Sequence, residues 1–161
     1  NVTIAPTAEI HGPCIIGEGS EIRHCAFIRG SALIGKGCVV GNSTELKNCI
    51  LFDKTQVPHY NYVGDSILGK GSHHGASSVI SNLKSDGKDV CVNIDGERVS
   101  THRRKFGAIL GDGADIGCGT VLNPGSIIGK GSRVYPHSTI RGTVPSGCIY
   151  KTDGEIVKIE K

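Results

Sequence analysis

The sequence predicts an all-β solenoid, a chain that turns a corner every six residues and stacks its coils by parallel pairing. Three observations carry that reading. Ile4, Ile10, Ile16, Ile22, Ile28, Ile34, Val40, Leu46 and Phe52 fall six apart, and the beat returns at Leu110, Ile116, Leu122, Ile128, Val134 and Ile140. Two positions before the beat the residue is usually small, as at Ala8, Cys14, Ser20, Ala26, Ala32, Cys38 and Thr44, then Ala108, Ala114, Thr120, Ser126, Ser132 and Ser138. One position after it Gly recurs, at Gly17, Gly35, Gly41, Gly111, Gly117 and Gly129. Neither a helix nor an alternating strand has a period of six. Three such sides make a triangular coil with one aliphatic residue per face pointing inward. Coils stacked at strand spacing satisfy their backbones through neighbours and bury their inner faces together. The small residue suits the crowded turn interior, and Gly is expected to supply unusual corner angles.

Composition agrees. Of 161 residues 24 are Gly, with three Phe, four Tyr and no Met or Trp, so a core built on large aromatics is excluded. Hydrophobic residues at 37% and charged ones at 20% exclude a disordered chain. No apolar run approaches the roughly 18 residues of a membrane helix, and no basic-then-apolar signal opens the chain. A formal charge of +3 gives no reason to expect nucleic acid. Because the first residue is Asn1, the sequence is expected to be a piece of a longer polypeptide. Seven cysteines without a C-x-x-C spacing point to free thiols in a reducing cytoplasm. Cys14 and Cys38 fall in the small slot, where packing is their expected role.

Function is sought where the beat breaks. After Phe52 the next slot holds Pro58, and the rhythm resumes out of phase at Tyr62, Leu68, His74 and Ile80. This predicts an inserted loop carrying His59 and Tyr62. A second break spans about 81–107. Within it Val90, Val92 and Ile94 alternate, Asp95-Gly96 turns, and Glu97-Arg98-Val99 returns, which predicts a hairpin arm with Asn82 and Lys88 near its base. After Ile140 the pattern decays, so the solenoid is expected over 1–143 and a cap over 144–161. His74 occupies an inward slot and is expected to be a satisfied core histidine.

His11, Arg29 and Lys47 are spaced to stack on one corner of successive coils. Two cations one strand spacing apart repel unless an anion, such as a phosphate, lies between them. The alternative is that both splay into solvent.

The segment VGNSTELKNCILFDKTQVPHYNYVGD, with IRG upstream and SNLKSDGK downstream, resembles the acetyltransferase domain of bifunctional sugar-1-phosphate enzymes, which are hexapeptide-repeat, left-handed parallel β-helices. The arm, NLKSDGKDVCVNIDGERVS followed by RRKFGA, is similar to archaeal-type nucleotidylyltransferases with amino-sugar acetyltransferase activity. The resemblance runs from Arg29 to Ile140, and H-x-x-Y-x-G-D is its most specific element. It implies a left-handed winding, acetyl-CoA as cosubstrate, an amino-sugar phosphate as acceptor and a homotrimer with the acyl-CoA site between subunits. It also implies a nucleotidylyltransferase half, which this chain lacks and which would lie before Asn1.

By the same resemblance His59 matches the catalytic base and Asn82 an asparagine that orients substrate and base. Arg29, Lys47, Tyr62 and Lys88 match substrate-binding residues. Main-chain N–H groups near Gly75 and Ala76 would face the acetyl carbonyl as oxyanion donors, and Cys118 falls at a cofactor contact where relatives often carry Ser. Two departures bear on sugar preference: His73 stands where bacterial enzymes have a substrate-binding Asn, and Cys91 replaces an arm lysine. The competing expectation is a non-catalytic oligomerisation or regulatory module. Carbonic anhydrases on the same helix use two His five apart; no such pair occurs here, so no metal is expected.

Overall fold

A computed structural model describes residues 1–160. The described chain contains strands and no helix, so no helix is long and apolar enough to cross a membrane. Three parallel sheets form the faces of a triangular prism, the left-handed β-helix architecture. The first face runs from Thr3–Ile4 to Cys148–Tyr150 and ends on the antiparallel strand Ile156–Lys158; the other two have seven strands each. Inside, the aliphatic columns pack solidly: Ile22, Val40, Val57, Ile28, Leu46, Val63, Leu68 and Ile80 are all fully buried. The small slot does more than avoid crowding. Ser20, Thr44 and Thr55 each donate a side-chain hydroxyl to a backbone carbonyl on the coil above, at 2.8, 2.9 and 3.0 Å.

The beat departs from its sequence reading at one corner. Leu51, not Phe52, is the inward residue, at 1% exposure against 52%. No loop is inserted around His59. Val57 pairs with Val40 and Val63 with Leu46, so this coil continues in register and Tyr62 points outward. The phase shifts because the corner between the second and third faces is one residue shorter on two successive coils, Leu46 to Leu51 and Val63 to Leu68. Asn48 and Asp65 make these tighter turns with φ of 49° and 50°. The arm leaves from the same corner one coil later.

The reason for the recurrent Gly also differs. Gly35 and Gly111 do not have positive φ. A Cβ on Gly35 would sit 2.7 Å from the Asp53 nitrogen, and one on Gly111 2.6 Å from the Lys130 nitrogen, so what they permit is close approach of adjacent coils. Positive φ falls two residues later, as at Gly37 and Gly113.

In the arm, Cys91–Ile94 pairs antiparallel with Glu97–Ser100 around Asp95 and Gly96, whose φ values of 50° and 84° are those of a tight hairpin turn. Val90 and Val92 are buried, tying the hairpin to the prism. At the far end parallel pairing continues past residue 143, since Arg133 pairs with Ile149 and Val134 with Tyr150. The reversal that covers the last coil is therefore Ile156–Lys158, bonded to Cys148–Tyr150.

Candidate active site

The shortened corner gathers polar side chains that are far apart in sequence. Asp65 is its centre. With its side chain 8% exposed, its carboxylate accepts from Lys47 Nζ at 3.3 Å and Asn48 Nδ2 at 2.7 Å, and from the Asn82 amide. Asn82 Nδ2 also donates to Tyr62 Oη at 3.2 Å. Gly64 lies beneath this contact: a Cβ there would meet Tyr62 Oη at 2.6 Å and Asn82 Nδ2 at 2.7 Å. The Gly and Asp of H-x-x-Y-x-G-D thus have distinct tasks, one making room for the tyrosine–asparagine pair and the other binding the lysine to it.

Arg29 and Lys47 stack on this corner as expected, with Phe27 paired to Glu45 and Ile28 to Leu46. The repulsion argument for an anion between them does not hold, because each cation has its own carboxylate. Arg29 Nη1 lies 2.8 Å from Glu45 Oε1, and Lys47 is held by Asp65. A ligand here meets a compensated, hydrogen-bonded surface rather than bare charge.

His59 sits at the neighbouring corner, between the first and second faces. Its imidazole is exposed and makes no hydrogen bond among the described residues, but its backbone is fixed from both sides. The His59 N–H donates to Asn61 Oδ1 at 3.0 Å, and its carbonyl accepts from Ser77 N–H at 3.0 Å. Asn61 is a buried residue in the small slot, and its Nδ2 donates to the Gly75 and Ser78 carbonyls at 2.9 and 3.1 Å. Gly75, Ala76 and Cys118 line the same corner on the coils above. Gly75 N–H is already committed to the Ile116 carbonyl at 2.7 Å, so it is no oxyanion donor; Ala76 N–H makes no hydrogen bond among the described residues. Cys118 is exposed.

His73 faces outward on the first face, with Nδ1 2.9 Å from Asp115 Oδ1. His74 points inward and is fully buried. Only its Nδ1 is satisfied, by Ser78 Oγ at 2.8 Å; Nε2 has no partner. Burial, with a smaller contribution from neighbouring His73, pushes its pKa down to about 3, so the ring is neutral. Lys88 lies exposed in the arm, with its N–H donated to Asp86.

Within one chain, therefore, Lys47, Tyr62 and Asn82 form one bonded cluster, Arg29 adjoins it, and His59 with Ala76 and Cys118 lies one corner away. Two contributors escaped the sequence reading. Asp65 was visible as the last letter of the motif, whereas Asn61 was signalled only as an oversized residue in a slot that from Ala8 to Ser138 otherwise holds Ala, Ser, Thr or Cys.

A family model for the GMPPB C-terminal domain matches residues 10–106. The chain belongs to this family. Relatives include a bifunctional sugar-1-phosphate nucleotidylyltransferase/acetyltransferase of Sulfurisphaera tokodaii, 36% identical over 63% of this chain and 25% of the relative. The bifunctional protein GlmU of Methanococcus aeolicus is 35% identical over 98% of this chain and 43% of its own length. The chain thus spans a quarter to under half of these relatives. Among solved structures, AntD, an N-acyltransferase from Bacillus cereus bound to dTDP-4-amino-4,6-dideoxyglucose and coenzyme A, superposes with a TM-score of 0.69 at 16% identity, over 91% of this chain and 83% of that one. The acetyltransferase domain of PglB from Neisseria gonorrhoeae with acetyl coenzyme A gives 0.59 at 17%, over 94% and 55%. These two share the fold.

Proposed function

We propose that this domain transfers the acetyl group of acetyl-CoA to the amine of a hexosamine 1-phosphate, within a longer nucleotidylyltransferase that makes a nucleotide-linked N-acetylhexosamine. The observation that carries the reading is the corner cluster in which Asp65 joins Lys47 to Asn82 and Tyr62, beside a corner bearing an unencumbered imidazole. Lys47 and Arg29 supply the cations for the sugar phosphate, and Tyr62 and Asn82 the neutral donors that orient it. His59 takes the proton from the amine as nitrogen attacks the acetyl carbon. Ala76 N–H, a free donor at that corner, faces the oxyanion. Coenzyme A leaves as thiolate and takes the proton back from the imidazolium. Bound acetyl-CoA in PglB and bound coenzyme A in AntD support the donor, and the names of the bifunctional relatives support the acceptor class.

A homotrimer completes the proposal. On the third face the outward residues form a continuous aliphatic ladder, Ile15, Leu33, Ile50, Ile67, Ile109 and Ile127, of which Ile15 is 65% exposed. Among the described residues no other face presents such a column, and covering it with a second copy removes apolar surface from water. Packing there would set the Lys47 corner, which borders this face, against a second copy. All seven cysteines are free, which suits a cytoplasmic setting.

Incubating the chain with acetyl-CoA and glucosamine 1-phosphate or galactosamine 1-phosphate tests the reading: stoichiometric thiol release and an N-acetylated sugar phosphate are expected. A folded trimer that releases no thiol with either sugar would leave the non-catalytic oligomerisation module as the better account.

A further inference from the structure

Two departures from the repeat meet inside the prism on adjacent coils. Every inward position from Ile22 to Val144 is aliphatic except His74, and Asn61 is the oversized residue of the small slot. Ser78 joins them. Its Oγ lies 2.8 Å from His74 Nδ1, accepts from Asn61 Nδ2 at 3.2 Å and donates to the Gly75 carbonyl at 2.8 Å. All three side chains are buried. The imidazole is neutral, and with the Ser78 proton on the Gly75 carbonyl it is His74 Nδ1 that carries a hydrogen and donates to Ser78. Nε2 is then a bare acceptor in an apolar interior. An aliphatic residue would fill this position without that cost, as it does at the other inward positions, so stability does not account for the histidine.

The chain of bonds does account for the aim of one peptide group. The Gly75 carbonyl accepts from three donors: Ser78 Oγ, Asn61 Nδ2 at 2.9 Å and Ser78 N–H at 3.1 Å. Both side-chain donors belong to the inward small slot. The Gly75–Ala76 peptide is planar and trans, so its N–H points opposite to its carbonyl. A carbonyl pinned toward the interior therefore turns Ala76 N–H outward, where it has no partner among the described residues. Asn61 Oδ1 meanwhile holds the His59 N–H, so one buried chain sets both groups at that corner.

We propose that His74 is a positioning residue for acetyl transfer: through Ser78 and Asn61 it fixes the Gly75–Ala76 peptide so that Ala76 N–H is held toward the oxyanion. The inference rests on the acetyltransferase reading. His74 is sealed inside the prism and touches no reacting atom. Its contribution is preorganisation, since a donor already aimed needs no rearrangement as charge builds on the acetyl oxygen.

The test sets His74→Leu beside His74→Asn in the whole chain. Leucine fills the position but removes the donor, whereas an asparagine amide nitrogen stands where Nδ1 does and still donates to Ser78. Packing alone ranks leucine above asparagine, and the positioning role reverses that order. The rate constant for acetyl transfer is expected to fall about tenfold in His74→Leu, with KM for the sugar phosphate within about twofold of natural. His74→Asn should recover most of the rate although its urea midpoint is the lower of the two. Ser78→Ala should lose at least as much as His74→Leu, and combining them should cost no more than Ser78→Ala alone. Rates that follow the urea midpoints, or a full rate in His74→Leu, would overturn the proposal. A natural chain that transfers no acetyl group would count against the acetyltransferase reading itself, and the Ala76 amide resonance of isotope-labelled protein then judges the buried chain. A resonance that is sharp in the natural chain and His74→Asn but broadened or displaced in His74→Leu supports it; the same resonance in all three overturns it.

Discussion

Asn61 holds His59 from inside the coil: its Oδ1 accepts the His59 N–H at 3.0 Å, while its Nδ2 spans to the Gly75 carbonyl on the next coil at 2.9 Å. The proposed base is therefore locked to the coil that carries Ala76, the proposed oxyanion donor. Asn61→Ala is expected to lower the acetyl-transfer rate constant about tenfold or more while changing KM for the sugar little, because the base is misplaced and the phosphate cluster is not. Steady-state rates at saturating sugar, set beside a circular dichroism check of the fold, measure it. An unchanged rate would remove the positioning role.

Gly64→Ala separates site geometry from stability. The atoms a new Cβ would meet are the ends of the Tyr62 and Asn82 side chains, which can move aside at little cost to the fold. The unfolding midpoint should shift by less than about 1 kcal/mol-equivalent, yet binding of the sugar phosphate should weaken about tenfold. Gly35→Ala makes the control. Its Cβ meets the Asp53 backbone, which cannot move without breaking the coil stack, so a loss of ~1–3 kcal/mol is expected.

His74 makes a pH prediction. Its pKa falls from an ordinary 6.5 to about 3 in the fold. Between those values the unfolded chain binds a proton that the native interior refuses, so stability declines as pH drops from 6.5 toward 3, by roughly 4 kcal/mol in all. His74→Leu removes both that proton and the unpartnered Nε2. Urea unfolding should show the variant at least as stable as the natural protein at pH 7, and less sensitive to acid between pH 6 and 4. A steeper acid loss in the variant would contradict the burial account.

Much of this was legible in the sequence because a solenoid repeats its physics. One inward aliphatic, one small slot and one corner per six residues identified the architecture from Ile22 to Leu46 and from Leu110 to Ile140 without reference to distant contacts. Reading failed at Phe52 for a local reason: Asn48 takes a left-handed turn that saves one residue, and pattern counting cannot distinguish a shortened corner from an inserted loop. The candidate site was legible in part. His59, Lys47, Tyr62 and Asn82 stand out by type and position. Their neutralising partners, Glu45 and Asp65, lie 16 and 18 residues from Arg29 and Lys47, a relation that exists only once coils are stacked.

The exposed ladder on the third face predicts the assembly. Replacing Ile15 and Leu33 with Glu should convert a trimer to monomers in light scattering and lower acetyl transfer with it, since the Lys47 corner borders the face that the copies would share. A monomeric natural protein that still turns over would show that one chain suffices.

The central claim is that His59 removes the amine proton in an acetyl transfer from coenzyme A, and the most direct measurement is the single-turnover rate of His59→Ala beside the natural chain with the sugar phosphate it acetylates. The account predicts a fall of roughly 100-fold or more, with sugar-phosphate affinity within about threefold of the natural value because Lys47, Tyr62 and Asn82 are untouched. Turnover at the natural rate without the imidazole would contradict it.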